Sequence, residues 1–356
     1  MVGSGARRLL VIGGMSRDHI TTSDGAAHLD VPGGNAAFAA IGALVWGVSP
    51  AIVALVGADY PEDWLSRLTA LGIDMQGIQR FDGPHESHFA VRYNNDHDRE
   101  PHVPLGAFKA AGTPVPEPLR RMAALIAASG DNAWTANDET RTTTWRADPE
   151  VVADDLWASD GVLIVPAALE RQRLWVDRCR ARMRPGALLF LDPEEEQGRD
   201  LTEHDLAPML ALVDCLLPSQ RQVAGIGGHR NNPSIIARRL ADLGPRVVAI
   251  KLGESGCLVY DRDLDCEVRI PAVPTRVGDV TGAGDAYCGG FSAGYLSTGD
   301  AETAGMFGAV SASFAIEDFG IFDAARYGPD DARRRLEYLR TASPNITTNQ
   351  QPIELA

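Results

Sequence analysis

Lysine is nearly missing from this chain of 356 residues. Only Lys109 and Lys251 occur, the other basic side chains being arginine, and 33 basic residues face 48 acidic ones for a formal charge of −15. A surface that neutralises nucleic-acid phosphates or anionic lipid needs a basic face, so binding to nucleic acid or membrane through bulk charge is excluded. Cysteine is scarce too. Cys179, Cys215, Cys257, Cys266 and Cys288 form no CxxC or Cys/His spacing, which argues against a disulfide framework or a zinc site and for free thiols in a reducing cytoplasm. Long hydrophobic runs are missing as well. The opening MVGSGARRLLVIGG lacks the apolar core of a signal peptide. The uncharged stretch 36–58 is broken by Gly42, Gly47 and Ser49-Pro50, and reads as a small-residue helix followed by a buried strand rather than a membrane span.

What is present is rhythm. LLVIGG (9–14), AIVALVG (51–57), VLIVPA (162–167), ALLFLDP (187–193), CLLPS (215–219) and VVAIKLG (247–253) are nearly continuous apolar runs, as expected of parallel strands buried on both faces. Helical segments lie between them, among them 61–72, 168–183, 232–244 and 330–342. The alternation predicts an α/β fold with a mainly parallel sheet, on which ligands sit outside the carboxyl ends of the strands. Residues 16–32 and 85–93 alternate polar and apolar positions and predict a small half-exposed flap. The polar stretch near 94–150 reads as an insertion with one helix, 116–129, and 343–356 as a polar tail. The acidic run 192–200 reads as a solvated helix start, and the eight histidines as surface or flap residues. No repeat recurs, so residues 1–342 are expected to form one decorated domain.

The strongest chemical signal is VGDVTGAGDAYCGGFSAGYL (277–296). Gly282, Ala283 and Gly284 let a backbone approach a ligand, and a helix starting at Ala283 would aim free N–H groups and the positive end of its dipole at an anion. Asp285 places a carboxylate inside that anion hole, as a general base for a hydroxyl attacking a phosphate requires. No GxxxxGK[ST] occurs, and the segment lacks the third glycine and the early position of a dinucleotide fingerprint. A second motif, VPGGNAAFAAIGALVWG (31–47), sets Gly33, Gly34 and Asn35 at a helix start. With Asp18 it offers a carboxylate and an amide to a polyhydroxylated substrate.

In this order and spacing, the early Gly-Gly-Asn and the late TGAGD resemble the paired signatures of the ribokinase-like, or PfkB, family of carbohydrate and nucleoside kinases. Residues 53–74 and 247–260 resemble family segments too. The resemblance implies a three-layer α/β fold with helices on both faces and a small β lid, and transfer of the γ-phosphate of ATP to a hydroxyl of a sugar, sugar derivative or nucleoside. It implies Asp285 as base; Gly282, Ala283 and Gly284 as anion hole; Asp18, Gly33, Gly34 and Asn35 as acceptor site; and Lys251, Gly253 and Gly256 beside ATP. Asp279 and Thr281 match positions that often ligand a monovalent cation such as K+. The resemblance also implies Mg2+ and pairing of lids in a homodimer.

One departure stands out. Family members usually carry Asn-x-x-Glu after the strand that here reads CLLPSQRQVAG, and the matching positions hold Ser219 and Gln222. A neutral Gln is a poorer partner near Mg2+ than a carboxylate. That departure keeps a non-catalytic sugar- or nucleoside-binding member of the same fold as the alternative. A nicotinamide-dependent dehydrogenase is disfavoured because GGMSRD (13–18) supplies no glycine fingerprint after the first strand.

Overall fold

The computed structural model describes residues 6–94, 99–129, 147–194, 203–223 and 232–342. In chain order the first half runs β1 (Arg8–Ile12), β2 (Ser16–Thr21), β3 (Ala27–Gly33), α1 (Asn35–Leu44), β4 (Ser49–Gly57), α2 (Glu62–Ala70), β5 (Asp74–Phe81), β6 (His88–Tyr93), β7 (Arg99–Pro101), α3 (Leu105–Ala111) and α4 (Glu117–Ser129). The second half runs α5 (Asp154–Trp157), β8 (Gly161–Ile164), α6 (Leu169–Arg182), β9 (Leu188–Leu191), α7 (Glu203–Leu210), β10 (Cys215–Leu216), α8 (Gln220–Val223), α9 (Pro233–Asp242), β11 (Val247–Lys251), β12 (Cys257–Asp261), β13 (Cys266–Ile270), α10 (Ala283–Thr298), α11 (Ala301–Ala315), α12 (Ile321–Ala324) and α13 (Pro329–Ala342).

Nine strands form one sheet in the order β13-β12-β11-β10-β9-β8-β1-β4-β5, parallel from β11 to β5, with β12 and β13 added antiparallel. The apolar runs are continuous because helices cover both faces: β1, β8, β9 and β11 are buried almost throughout. On one face α1, α10 and α11 pack as a group. Glycines permit the close approach. A side chain at Gly42 would meet the Ala286 carbonyl oxygen at 2.2 Å, and one at Gly289 would meet that of Ala39 at 1.8 Å. Trp46 closes this layer by stacking on Phe307 at 3.6 Å and donating from Nε1 to Ser311 Oγ at 2.9 Å.

The predicted flap is a second sheet, ordered β3-β2-β6-β7, with β2 and β6 parallel and the two edge pairs antiparallel. It draws on the stretch read as an insertion, since Arg99–Pro101 supplies its edge strand. That stretch also holds a second helix, α3, whose seven residues are too few to show a helical period. Residues 130–146, the tail 343–356 and His97 lie outside the described residues. Two further readings are corrected. Strand CLLPS shrinks to Cys215–Leu216 because Pro218 cannot donate to a ladder, although Ser219 still bridges Lys251. The unread β5 is a half-buried edge strand pairing with β4.

The histidines depart further from expectation. His19, His85 and His88 belong to the flap and its approach but are buried, not at the surface. Asp30 N–H donates to His19 Nδ1, His19 Nε2 faces His88 Nδ1 at 3.0 Å, and His88 Nε2 faces the His85 carbonyl at 3.1 Å. Burial holds all three rings below their ordinary range, to about 4, 4 and 3. They are neutral packing groups that stiffen the base of the flap.

Candidate active site

A cleft open to solvent lies between the flap and the carboxyl ends of the main strands, where the loops after β1 and β8 meet the starts of α1 and α10. Among the predicted residues, Asp18, Gly34, Asn35, Thr281, Gly282 and Asp285 line it, as does Gln222. The two glycine-rich motifs, far apart in sequence, therefore face one space.

The start of α10 is built to attract anions. Gly282 caps it at φ 79°, a left-handed conformation, and no side chain caps the helix. A side chain on Gly282 would fall 2.3 Å from the Phe38 ring, so this residue is constrained both by its backbone and by α1. The amides of Gly282 and Gly284 have no hydrogen-bond partner among the described residues. Ala283 differs from expectation: its N–H already donates to the Val280 carbonyl at 3.3 Å. Two open amides and the helix dipole give this helix start a positive field. Asp285 stands in the first turn of the same helix and lines the cleft.

The start of α1 is organised otherwise. Asn35 Oδ1 accepts from Gly14 N–H at 2.8 Å, and its Nδ2 donates to the Pro166 carbonyl at 3.0 Å. The amide expected to read substrate hydroxyls thus ties the loops after β1 and β8 together, leaving one N–H and one lone pair for a ligand. Gly33 packs on Asp18, whose carboxylate a side chain would meet at 2.0 Å. Asp18 is 2% exposed and accepts from Ser16 Oγ at 2.5 Å. Burial raises its carboxyl from the ordinary 3.8 to about 7; the charges of Asp279 and Asp285 add to the rise, and Ser16 and Arg99 oppose it.

Beneath the anion hole lies a buried polar cluster. Lys251 Nζ pairs with Asp192 Oδ2 at 2.5 Å and lies 3.3 Å from Cys288 Sγ. Burial alone would lower the lysine, yet Asp192 holds it above its ordinary value, so the pair is ionised. The ammonium lies 3.6 Å from where a Gly284 side chain would begin, directly behind the helix start. Asp192, the first residue of the acidic run, is therefore not solvated, and residues 195–200 of that run lie outside the described residues.

Gln222 joins the same cluster. Its Oε1 accepts from Ser219 N–H, Ser219 Oγ accepts from Gln222 N–H at 3.3 Å, and Nε2 donates to Asp192 Oδ1 at 3.2 Å. The first two bonds form a capping box at the start of α8. A glutamate at 222 could accept but not donate to Asp192, so the neutral amide suits its surroundings.

Gly253 and Gly256 lie in the turn between β11 and β12, both at positive φ. Gly253 has open space around it. Gly256 is required by packing, because a side chain would meet the Ile270 carbonyl oxygen at 2.0 Å. Asp279 and Thr281 are bonded to each other and to Tyr93: Tyr93 Oη donates to Asp279 Oδ1 at 2.7 Å and lies 2.8 Å from Thr281 Oγ1, while Thr281 N–H donates to Asp279 Oδ1 at 2.9 Å. Among the described residues no group of three His, Cys, Asp or Glu side chains could hold a metal ion.

Sequence reasoning missed Ser16, His88, Arg99, Arg221 and Glu194, which also line the cleft. Arg99 sits 5.1 Å over the Phe89 ring and reaches the cleft only because β7 joins the flap, a pairing no local pattern announces. Ser16 could have been found as the position two before Asp18 on an alternating strand, and so on the same face.

The pfkB family of carbohydrate kinases matches residues 124–324. The cytidine kinase of Thermococcus kodakarensis is 27% identical over 288 residues, covering 81% of this chain and 88% of that one. Among solved structures, the apo form of a putative ribokinase II from E. coli gives a TM-score of 0.66 at 17% identity, covering 93% of this chain and 99% of that one. The nucleoside kinase of Burkholderia thailandensis in complex with inosine gives 0.64 at 17% identity, covering 93% and 98%.

Proposed function

The chain belongs to the pfkB family of carbohydrate kinases and is a kinase of the sugar or nucleoside type; from that premise we propose that it transfers the γ-phosphate of ATP to a hydroxyl on the sugar portion of a nucleoside, with Asp285 as general base. The observation that carries the reading is the start of α10, where Gly282 and the Asp285 carboxylate line the cleft beside two unpartnered amides. Donors there stabilise charge growing on a phosphoryl group, while Asp285 takes the proton of the attacking hydroxyl. The nucleoside acceptor is supported by the likeness to the cytidine kinase across most of both chains.

Asp18 and the remaining hydrogen-bonding capacity of Asn35 orient the acceptor hydroxyls. Lys251, held behind Gly284 by Asp192, adds a fixed positive charge to the field of the helix start. It acts through that field rather than by direct contact. The open turn at Gly253 lies beside the nucleotide. The open amides fit a polyphosphate. Mg2+, which would neutralise phosphate charge when bound, fits as an ion held chiefly by the phosphates, with Glu194 as an acidic side chain of the cleft besides Asp18 and Asp285. Gln222 is committed to its capping box and is not one of its ligands. The flap excludes water, so that transfer to the acceptor outcompetes hydrolysis.

The test is ADP release with a panel of nucleosides, pentoses and hexoses, for the natural chain and for Asp285→Asn. A nucleoside should be the preferred acceptor, and the variant should lose about 10²–10⁴ in kcat with an unchanged melting temperature. Turnover by the variant close to normal would remove Asp285 from the mechanism. Binding of acceptor and nucleotide without ADP release would favour the non-catalytic alternative.

A further inference from the structure

The residues expected to hold a monovalent cation are already joined by a tyrosine from the flap. Tyr93 is the last residue of β6, and Asp279 lies 186 positions away. Tyr93, Asp279 and Thr281 are 6%, 2% and 8% exposed. Asp279 Oδ1 accepts two hydrogen bonds, from Tyr93 Oη and from Thr281 N–H, which occupy both of its lone pairs. Tyr93 has one hydroxyl proton and gives it to Asp279, so the Thr281 hydroxyl donates to the tyrosine oxygen. The side-chain oxygens a cation would draw together are drawn together by protons instead. Only Asp279 Oδ2 is without a hydrogen bond here among the described residues, and one open side-chain oxygen does not make a site for a monovalent cation.

Position gives the tie a role. Thr281 precedes Gly282, the cap of the anion hole, and lines the cleft. Around the tyrosine, Ile20 and Val91 form a small apolar cluster with the partly buried Phe89, Val280 and Phe319. This cluster seats the flap on the segment before α10.

We propose that Tyr93 is a positioning residue that couples the flap to the anion hole and takes the place of a monovalent cation there, so that turnover is independent of potassium. The proposal rests on the kinase reading above for its kinetic part only. Removing the hydroxyl unties Asp279 and Thr281 from the flap and leaves them held by each other and by the Ile316 carbonyl, which loosens Gly282 with them.

The experiment uses the full chain and Tyr93→Phe. Turnover of the natural chain is measured with potassium chloride and with choline chloride at matched ionic strength, and should agree within about twofold. Tyr93→Phe should lower kcat about tenfold, the cost of one buried hydrogen bond, with acceptor and nucleotide KM nearly unchanged. Hydrogen exchange is measured on both proteins without ligands. It should quicken in the variant at both 88–93 and 280–284, although these segments are remote in sequence. Natural turnover that collapses without potassium overturns the proposal, as does quickened exchange confined to 88–93 or an unchanged kcat in the variant. Absence of any kinase activity in the natural chain would count against the functional reading alone, while the exchange result still decides whether Tyr93 ties the two segments.

Discussion

Helices α1 and α10 begin alike and behave differently. Each is capped by a glycine at positive φ, Gly34 at 109° and Gly282 at 79°, with no capping side chain, and each opens onto the same cleft. At α1 the backbone N–H groups of Gly34 and Asn35 are open among the described residues, but the side chain is spent inside the protein: the Asn35 amide binds Gly14 and Pro166, and Ala36 N–H donates to the Gly14 carbonyl at 3.2 Å. At α10 the amides of Gly282 and Gly284 stay open among the described residues. One glycine-rich motif holds the shape of the cleft, and under the proposed function the other presents donors to the phosphate. Similar backbone at two helix starts thus carries different side chains, an amide tied to neighbouring loops at α1 and a carboxylate lining the cleft at α10.

Substitutions can break this contrast. Gly34→Ala should have the largest effect on folding, because a side chain there would be strained at φ 109° and would lie 2.5 Å from the Gly14 carbonyl oxygen. The backbone strain alone costs about 1–3 kcal/mol, visible as a lower urea midpoint. Gly284→Ala should do the reverse. Its methyl would touch Lys251 Nζ at an ordinary 3.6 Å and suits a helix interior, so the midpoint should hold or rise. Turnover should fall about tenfold as the methyl comes between the helix start and the Lys251 ammonium behind it and weakens the positive field there. Loss of activity without loss of stability at Gly34, or the opposite at Gly284, would overturn the contrast.

A finer test lies at Asp18. Its folded value of about 7 exceeds its ordinary 3.8, so the folded state binds the extra proton between those values. The associated stability is fully present below about 4 and is lost as pH rises through 7. Asp18→Asn should therefore become more stable relative to the natural chain between pH 4 and 8, by up to about 1.4 kcal/mol per pH unit. A stability difference that stays flat with pH would mean that the carboxylate is ionised throughout.

The parts of this site legible in sequence are those that local chemistry determines. TGAGD announces a helix start with open amides because glycines, a following helix and a carboxylate lie within five residues. The main strands are legible because burial on both faces makes them uniformly apolar. What stayed hidden depends on partners far along the chain. Asn35 carries the expected donor and acceptor, but only the return of β8 beside β1 shows that Pro166 takes one of them. Lys251 is placed beside ATP by the resemblance, and nothing local shows that Asp192, which follows β9, takes its charge. The histidines read as surface or flap residues do lie in the flap at His19 and His88, but their burial was not legible because α3, which covers His19 through Phe108, has no periodic signature of its own.

The close fit of α1 against α10 also sets an order of assembly. At a synthesis rate of about 5–20 residues per second, the ribosome adds the roughly 240 residues between them over roughly 10–50 s. Strands β1 and β4 can pair early, but the glycine-notched face of α1 has no partner until residues 283–298 emerge. A nascent chain therefore carries an unsealed apolar helix through most of its synthesis, and its dependence on chaperones should be greatest over that interval.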